Sequence, residues 1–170
     1  ALIAAEAEHI TPIIALNKSD LTEPFARAWA RLQPYRDMGY ELISLALKPK
    51  ATEAEANVET SASHSQNELL TRVLQGKTTL VLGPSGSGKS TLINTLLPIA
   101  KVLTQEISQA LNSGKHTTTS TTWYWLDDAK TTALIDSPGF QEFGLNHIDP
   151  MHLASYMPDF KVHVPECKFY

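Results

Sequence analysis

The sequence predicts an α/β fold built on a mainly parallel sheet flanked by helices. Short apolar runs alternate with helical stretches, and polar or glycine-rich segments close the apolar runs at Asn17 and at Gly83. Ala1 to His9 reads as the end of a helix that Thr11 and Pro12 break, and Pro12 to Leu16 as a short buried strand. Phe25 to Arg36 fits a helix with Phe25, Trp29 and Leu32 on one face and Pro24 near its start. Tyr40 to Leu47 is a second strand. Lys48 to Gln66 is polar and without apolar periodicity, which predicts a loop, and Glu68 to Leu74 a short helix. Thr78 to Leu82 is a strand, Gly83 to Ser90 a loop, and Thr91 to Leu97 the helix that follows. Lys101 to Thr122 reads as a polar loop. Thr121 to Leu126 and Thr131 to Ile135 pair as a hairpin across Asp127-Asp128-Ala129-Lys130, and a helix is expected near Pro150 to Tyr156.

The 170 residues suit one domain, or one domain with a fragment of another, and 42% hydrophobic residues can form a core. No apolar run is long enough to span a bilayer, and Ala1 to Glu8 lacks the basic start of a signal peptide. The formal net charge of -4 argues against polyanion binding by bulk charge. A single cysteine, Cys167, excludes an internal disulfide and fits a reducing compartment, so a cytoplasmic location is expected.

Gly83-Pro84-Ser85-Gly86-Ser87-Gly88-Lys89-Ser90 matches the phosphate-loop pattern G-x-x-x-x-G-K-[ST] between a strand and a helix. The glycines let backbone N–H groups turn toward phosphate oxygens where a Cβ would obstruct, and the following helix, with Thr91 in its first turn, aims its positive end at the same anion. Lys89 supplies an ammonium to the β- and γ-phosphates, and the Ser90 hydroxyl is a Mg²⁺ ligand. The base is chosen elsewhere. Asn17-Lys18-Ser19-Asp20 closes a strand, and the Asp20 carboxylate can accept from the N1–H and exocyclic amine of guanine. Adenine would leave that acceptor facing a lone pair, at a cost of several kcal/mol, on the order of 10²-fold in affinity. Lys18 can lay its methylene stem along the base, and Asn17 can tie this loop to the phosphate loop. Ser44-Leu45-Ala46, at the end of the next strand, is an imperfect match to the S-A-x loop that backs the base, and an ordinary strand end is the alternative.

Asp136-Ser137-Pro138-Gly139 follows the apolar run Ala133-Leu134-Ile135. In this position Asp136 would hold Mg²⁺ through water, and the Gly139 N–H would bond the γ-phosphate and lose it after hydrolysis. One threonine of Gly114-Lys115-His116-Thr117-Thr118-Thr119 should complete the Mg²⁺ shell, with Thr118 preferred over Thr117 and Thr119. Phe140 stands where many GTPases place a water-orienting glutamine, and a phenyl ring cannot align water. His116 is the candidate for that task, with Gln141 and Gln105 behind it and a plain surface histidine as the alternative.

Most Ras-like chains run phosphate loop, threonine switch, DxxG, then NKxD. Here NKxD comes first, an order that arises by circular permutation through an exposed connection, for which Lys48 to Gln66 is the candidate. That order, with GPSGSGKSTLINTLL, GKHTTT and DSPGFQEFGL, resembles the circularly permuted ribosome-biogenesis GTPases of the RsgA/YjeQ/EngC family over nearly the whole chain. Ser87, usually valine in that family, and the long Lys48 to Gln66 stretch depart from its pattern without removing a phosphate or base contact.

The resemblance implies a GTP hydrolase, slow alone and stimulated by the ribosome. It would act with GTP/GDP and Mg²⁺ as a conformational switch in late maturation of the small (30S) subunit. The implied domains are a permuted GTPase domain over 1–145, the start of a C-terminal helical, zinc-binding module over 146–170, and an OB-fold upstream. The chain is then expected to be a fragment and a monomer with no membrane partner. No run in the sequence supplies the strand that normally lies between the NKxD and phosphate-loop strands, so either upstream residues are absent or the sheet has a gap that is filled otherwise. Cys167 resembles the first zinc ligand of that module, in a set incomplete here, so Zn²⁺ is expected only in a longer chain. The rivals are a P-loop ATPase or small-molecule kinase, a GTP-dependent binding module with little hydrolysis, and a permuted GTPase acting on the large subunit.

Overall fold

The computed structural model describes residues 1–47, 61–97, 121–137 and 145–168. The chain forms two compact units, Ala1–Leu45 with Glu142–Tyr170, and Ala46–Gln141.

In the first unit, helix α1 (Leu2–Ala7) leads into strand β1 (Ile13–Leu16), with His9 taking a left-handed φ of 54° where the helix ends. Helix α2 (Thr22–Ala30) follows, then α3 (Gln33–Asp37) and strand β2 (Glu41–Ser44). The single helix expected over Phe25 to Arg36 is thus two. Pro34 lacks the N–H that would bond the Ala30 carbonyl, and Ala30 is the last residue of α2. Phe25 and Trp29 of the expected apolar face stack at 5.5 Å within α2, and the Arg36 guanidinium of α3 lies 5.3 Å from the Trp29 ring centre. β1 and β2 pair in parallel, Ile13 opposite Glu41 and Leu16 opposite Ser44, so both strands end at the same edge of their sheet. Among the described residues of this unit, Ala4, Tyr40, Ile43, Leu45 and Ile148 are the buried apolar ones. The 3-10 helix Pro150–Tyr156 lies where a helix was expected and packs against both α1 and helix α6 (Pro158–Lys161). Asp149 caps it by accepting from the Met151 N–H at 2.9 Å.

In the second unit, helix α4 (Ser61–Leu74) precedes strand β3 (Thr78–Val81), helix α5 (Lys89–Leu96), and strands β4 (Thr122–Trp125) and β5 (Ala133–Asp136). α4 begins well before Glu68, so the polar tract through Gln66 is helical in its last residues. Leu70, Val73 and Leu74 are buried, and this apolar anchor lets the helix propagate back through residues that carry no signal of their own. The strands run in the order β3-β5-β4, with β3 and β5 parallel and β4 antiparallel to β5 as the hairpin pattern requires. Leu134 is fully buried in the central strand.

The hairpin turn is closed by one carboxylate. Asp127 accepts from the Thr131 N–H at 2.9 Å, the Thr131 hydroxyl at 3.1 Å and the Thr132 N–H at 2.7 Å. Among the described residues no strand joins the β1-β2 and β3-β5-β4 sheets.

Candidate functional site

The phosphate loop leaves the C-terminal end of β3. Val81, the last residue of β3, lies opposite Asp136, the last residue of its parallel neighbour β5. The parallel register therefore delivers the loop and the Asp136 carboxylate to one sheet edge, the edge at which open α/β sheets bind ligands.

Three glycines shape the loop, for two different reasons. Gly86 (φ 77°) and Gly88 (φ 107°) occupy left-handed conformations that a side chain would strain. Gly83 has no such φ, but a Cβ there would meet the Ser87 Oγ at 2.9 Å. A turn from Ser87 N–H to the Pro84 carbonyl (3.2 Å) tightens the loop, with Ser85 and Gly86 at its tip. Gly88 is the N-cap of α5 and carries no side chain to cap the helix, whose first N–H groups lie next to the loop, the arrangement that favours an anion.

Lys89 lies over this loop. Its Nζ donates to the Gly83 carbonyl at 2.6 Å and the Pro84 carbonyl at 3.2 Å. The ammonium is thus held inside the loop by backbone oxygens, a position from which it can exchange carbonyls for phosphate oxygens. Ser90 is exposed in the first turn of α5, and Thr91 is half-buried beside it.

Asp136 is 8% exposed. Burial pushes its carboxyl pKa up, and the Lys89 ammonium works in the opposite direction. Ser90 and Asp136 offer the hydroxyl and carboxylate oxygens that Mg²⁺ prefers, and a buried carboxylate with a raised pKa is one that a cation would relieve, so this donor set fits the metal. The threonines expected to complete the metal shell (Thr117, Thr118, Thr119), the γ-phosphate contact Gly139, Phe140 after it, and the water-positioning candidates His116, Gln105 and Gln141 lie outside the described residues.

The segment expected to read the base, Asn17-Lys18-Ser19-Asp20, stands at the C-terminal edge of the β1-β2 sheet. Lys18 adopts φ 70°, and its N–H donates to the Asn17 Oδ1 at 2.7 Å, which folds Asn17 onto its own turn. The Ser19 N–H donates to the Leu45 carbonyl at 2.9 Å, and the Leu45 N–H to the Leu16 carbonyl at 2.8 Å. These bonds fix Asn17-Lys18-Ser19-Asp20 against the end of β2, so the two segments singled out for base binding meet there. Lys18 and Asp20 are exposed, as is Ser44, while Leu45 is 3% exposed. The next residue, Ala46, donates its N–H to the Gln66 side-chain carbonyl at 3.0 Å. No sequence signal pointed to Gln66, a polar residue in a polar tract whose partner lies 20 positions away.

A cleft of about 890 Å³ in the first unit is lined by Glu6, His9, Tyr40, Glu41, Tyr156 and Lys161 among others, and by none of the motif residues. The Tyr40 hydroxyl is buried with no well-formed hydrogen bond among the described residues. Its pKa is pushed up to about 12, first by burial and then by the Glu6 carboxylate. Cys167 is an exposed free thiol, and no group of three His, Cys, Asp or Glu placed to hold a metal occurs among the described residues.

A phosphate loop and an acidic residue at the ends of parallel neighbouring strands define a P-loop nucleotide-binding α/β protein. The RsgA GTPase family model matches residues 1–146, and the chain belongs to that family. The small ribosomal subunit biogenesis GTPase RsgA of Variovorax paradoxus (strain S110) is 65% identical over 170 residues, all of this chain and 50% of the relative. That of Paraburkholderia phytofirmans is 47% identical over 173 residues, again all of this chain and 51% of the relative. The chain therefore spans about half the length of these relatives. Among solved structures it is similar to YloQ, a circularly permuted GTPase (TM-score 0.61, 24% identity, 99% of this chain and 47% of that one). It is also similar to YjeQ from Thermotoga maritima (TM-score 0.57, 25% identity, 91% and 46%). The permuted fold expected from the motif order is thus the fold of its structural neighbours.

Proposed function

We propose that this chain is the GTP-hydrolysing part of a conformational switch acting in maturation of the small ribosomal subunit. The observation that carries the chemistry is the meeting of Lys89, the phosphate loop and Asp136 at one end of β3 and β5. The relatives' names support the ribosomal role.

In this reading the loop N–H groups and Lys89 bind the phosphates and oppose charge that builds on the leaving oxygen. Asp20 reads the N1–H and exocyclic amine of guanine, Lys18 lies along the ring, and the Ala46 N–H meets the 6-oxo group. Ser90, Thr118 and Asp136 would hold Mg²⁺, which when bound neutralises phosphate charge. The Gly139 N–H would sense the γ-phosphate, and His116 would orient the attacking water in place of the glutamine that Phe140 displaces. Residues 1–145 are the GTPase domain and 146–170 the opening of a C-terminal module that holds zinc in the longer protein, with Cys167 among its ligands. The protein works as a cytoplasmic monomer.

Nucleotide competition tests the base assignment. GDP should displace a bound fluorescent guanine nucleotide at least 100-fold more effectively than ADP. Asp20→Asn should invert part of that preference toward xanthosine diphosphate, because an amide can donate to the 2-oxo group that a carboxylate repels. Equal competition by ADP would instead favour the ATPase or kinase reading. Turnover should rise on adding small subunits and lose that stimulation in His116→Ala with GDP affinity unchanged.

A further inference from the structure

Gln66 sits on α4 in the same compact unit as the phosphate loop, and its side-chain carbonyl accepts the Ala46 N–H at 3.0 Å in a partly buried setting. A backbone N–H placed to read a purine at C6 selects an acceptor there: guanine offers a 6-oxo group, whereas adenine offers a donating amine. The carboxamide oxygen of glutamine is chemically close to that lactam oxygen. The donor assigned to the base is therefore satisfied by an internal group of the same kind.

We propose that Gln66 is an internal surrogate for the 6-oxo group of the base, and that guanine nucleotide must displace it to bind. The inference rests on the reading of Ala46 as a base contact. Its consequence is quantitative. When only a fraction of molecules has the Ala46 N–H open, the apparent dissociation constant rises by the inverse of that fraction. A neutral amide-to-carbonyl hydrogen bond of ordinary net strength keeps the site open in about one molecule in 3 to 10. Gln66 thus weakens guanine-nucleotide binding, while phosphate binding alone, which does not engage the Ala46 N–H, is unaffected.

The test uses titration calorimetry with GDP and with inorganic pyrophosphate, on the wild-type chain and on Gln66→Ala and Gln66→Met. The methionine variant keeps side-chain length and helix propensity but removes the acceptor. GDP should bind about 3- to 10-fold tighter to both variants, with pyrophosphate affinity unchanged. Unchanged or weakened GDP binding would overturn the proposal, and so would equal shifts for GDP and pyrophosphate, because Gln66 would then serve only to anchor α4 near the loop. A wild-type chain that binds pyrophosphate but shows no preference for GDP over ADP would overturn the base assignment itself, and this inference with it.

Discussion

Asp136 shows how burial sets the stability contribution of one side chain. It is buried, its pKa is raised mainly by desolvation, and the Lys89 ammonium offsets part of that cost. A carboxyl whose pKa is higher in the folded than in the unfolded chain binds protons more tightly when folded. Its ionisation therefore costs no stability below the unfolded value near 3.8, costs progressively more as pH rises toward the raised folded value, and keeps that cost at neutral pH. Asp136→Asn should accordingly raise the melting temperature of the nucleotide-free chain at pH 7, with the advantage vanishing below about pH 4. Melting curves across that range check the sign, and a lower melting temperature at pH 7 would mean that the pairing with Lys89 outweighs burial. The same variant should lose Mg²⁺-dependent tightening of GTP binding, because the amide replaces a charged oxygen donor.

At the scale of the element, the β4-β5 hairpin depends on Asp127 much as the site depends on its loop. Its carboxylate accepts from the Thr131 and Thr132 N–H groups and the Thr131 hydroxyl, and these bonds, Thr131's backbone first, lower its pKa. The sign is opposite to that of Asp136: the contribution to stability is present above the unfolded value near 3.8 and is lost as pH falls through the depressed folded value. Asp127→Ala should lower the melting temperature at pH 7, and the gap to wild type should close as acid removes the charge from the parent. A gap independent of pH would assign the loss to turn geometry alone. The turn was legible because Asp127-Asp128-Ala129-Lys130 falls between two β-rich runs, and the strands β1, β3 and β5 were legible as apolar runs closed by polar motifs. The start of α4 and the split at Pro34 were not: the first is set by burial of Leu70, Val73 and Leu74 further on, the second by a single missing N–H. Residue types and spacing pointed to Lys89, Asp136 and Asp20 as candidates, whereas the Gln66 bond to Ala46 depends on a meeting across 20 residues that no local pattern encodes.

For the molecule as a whole, the permuted motif order has an energetic consequence. Asp20 belongs to one compact unit and Lys89 to the other, and in the proposed function both serve one guanine nucleotide. A ligand held by both makes the folding of each unit contribute to binding, and binding at about 100 times the dissociation constant stabilises the folded chain by about 2.7 kcal/mol. GDP at that concentration should therefore raise the melting temperature of both units together. Asp20→Ala and Lys89→Ala, although in different units, should each remove most of that rise. Their effects on the GDP-induced shift should not add, because either substitution already removes the nucleotide whose binding the other would weaken. A nucleotide held by the phosphate loop alone gives a different pattern: Asp20→Ala keeps the full shift, ADP shifts melting as much as GDP does, and only a transition that Lys89→Ala affects responds to ligand. Calorimetric scans of the wild-type chain, the two single variants and the double variant, with GDP and with ADP, separate these outcomes. The second pattern would remove guanine recognition from the function while leaving phosphate binding in place.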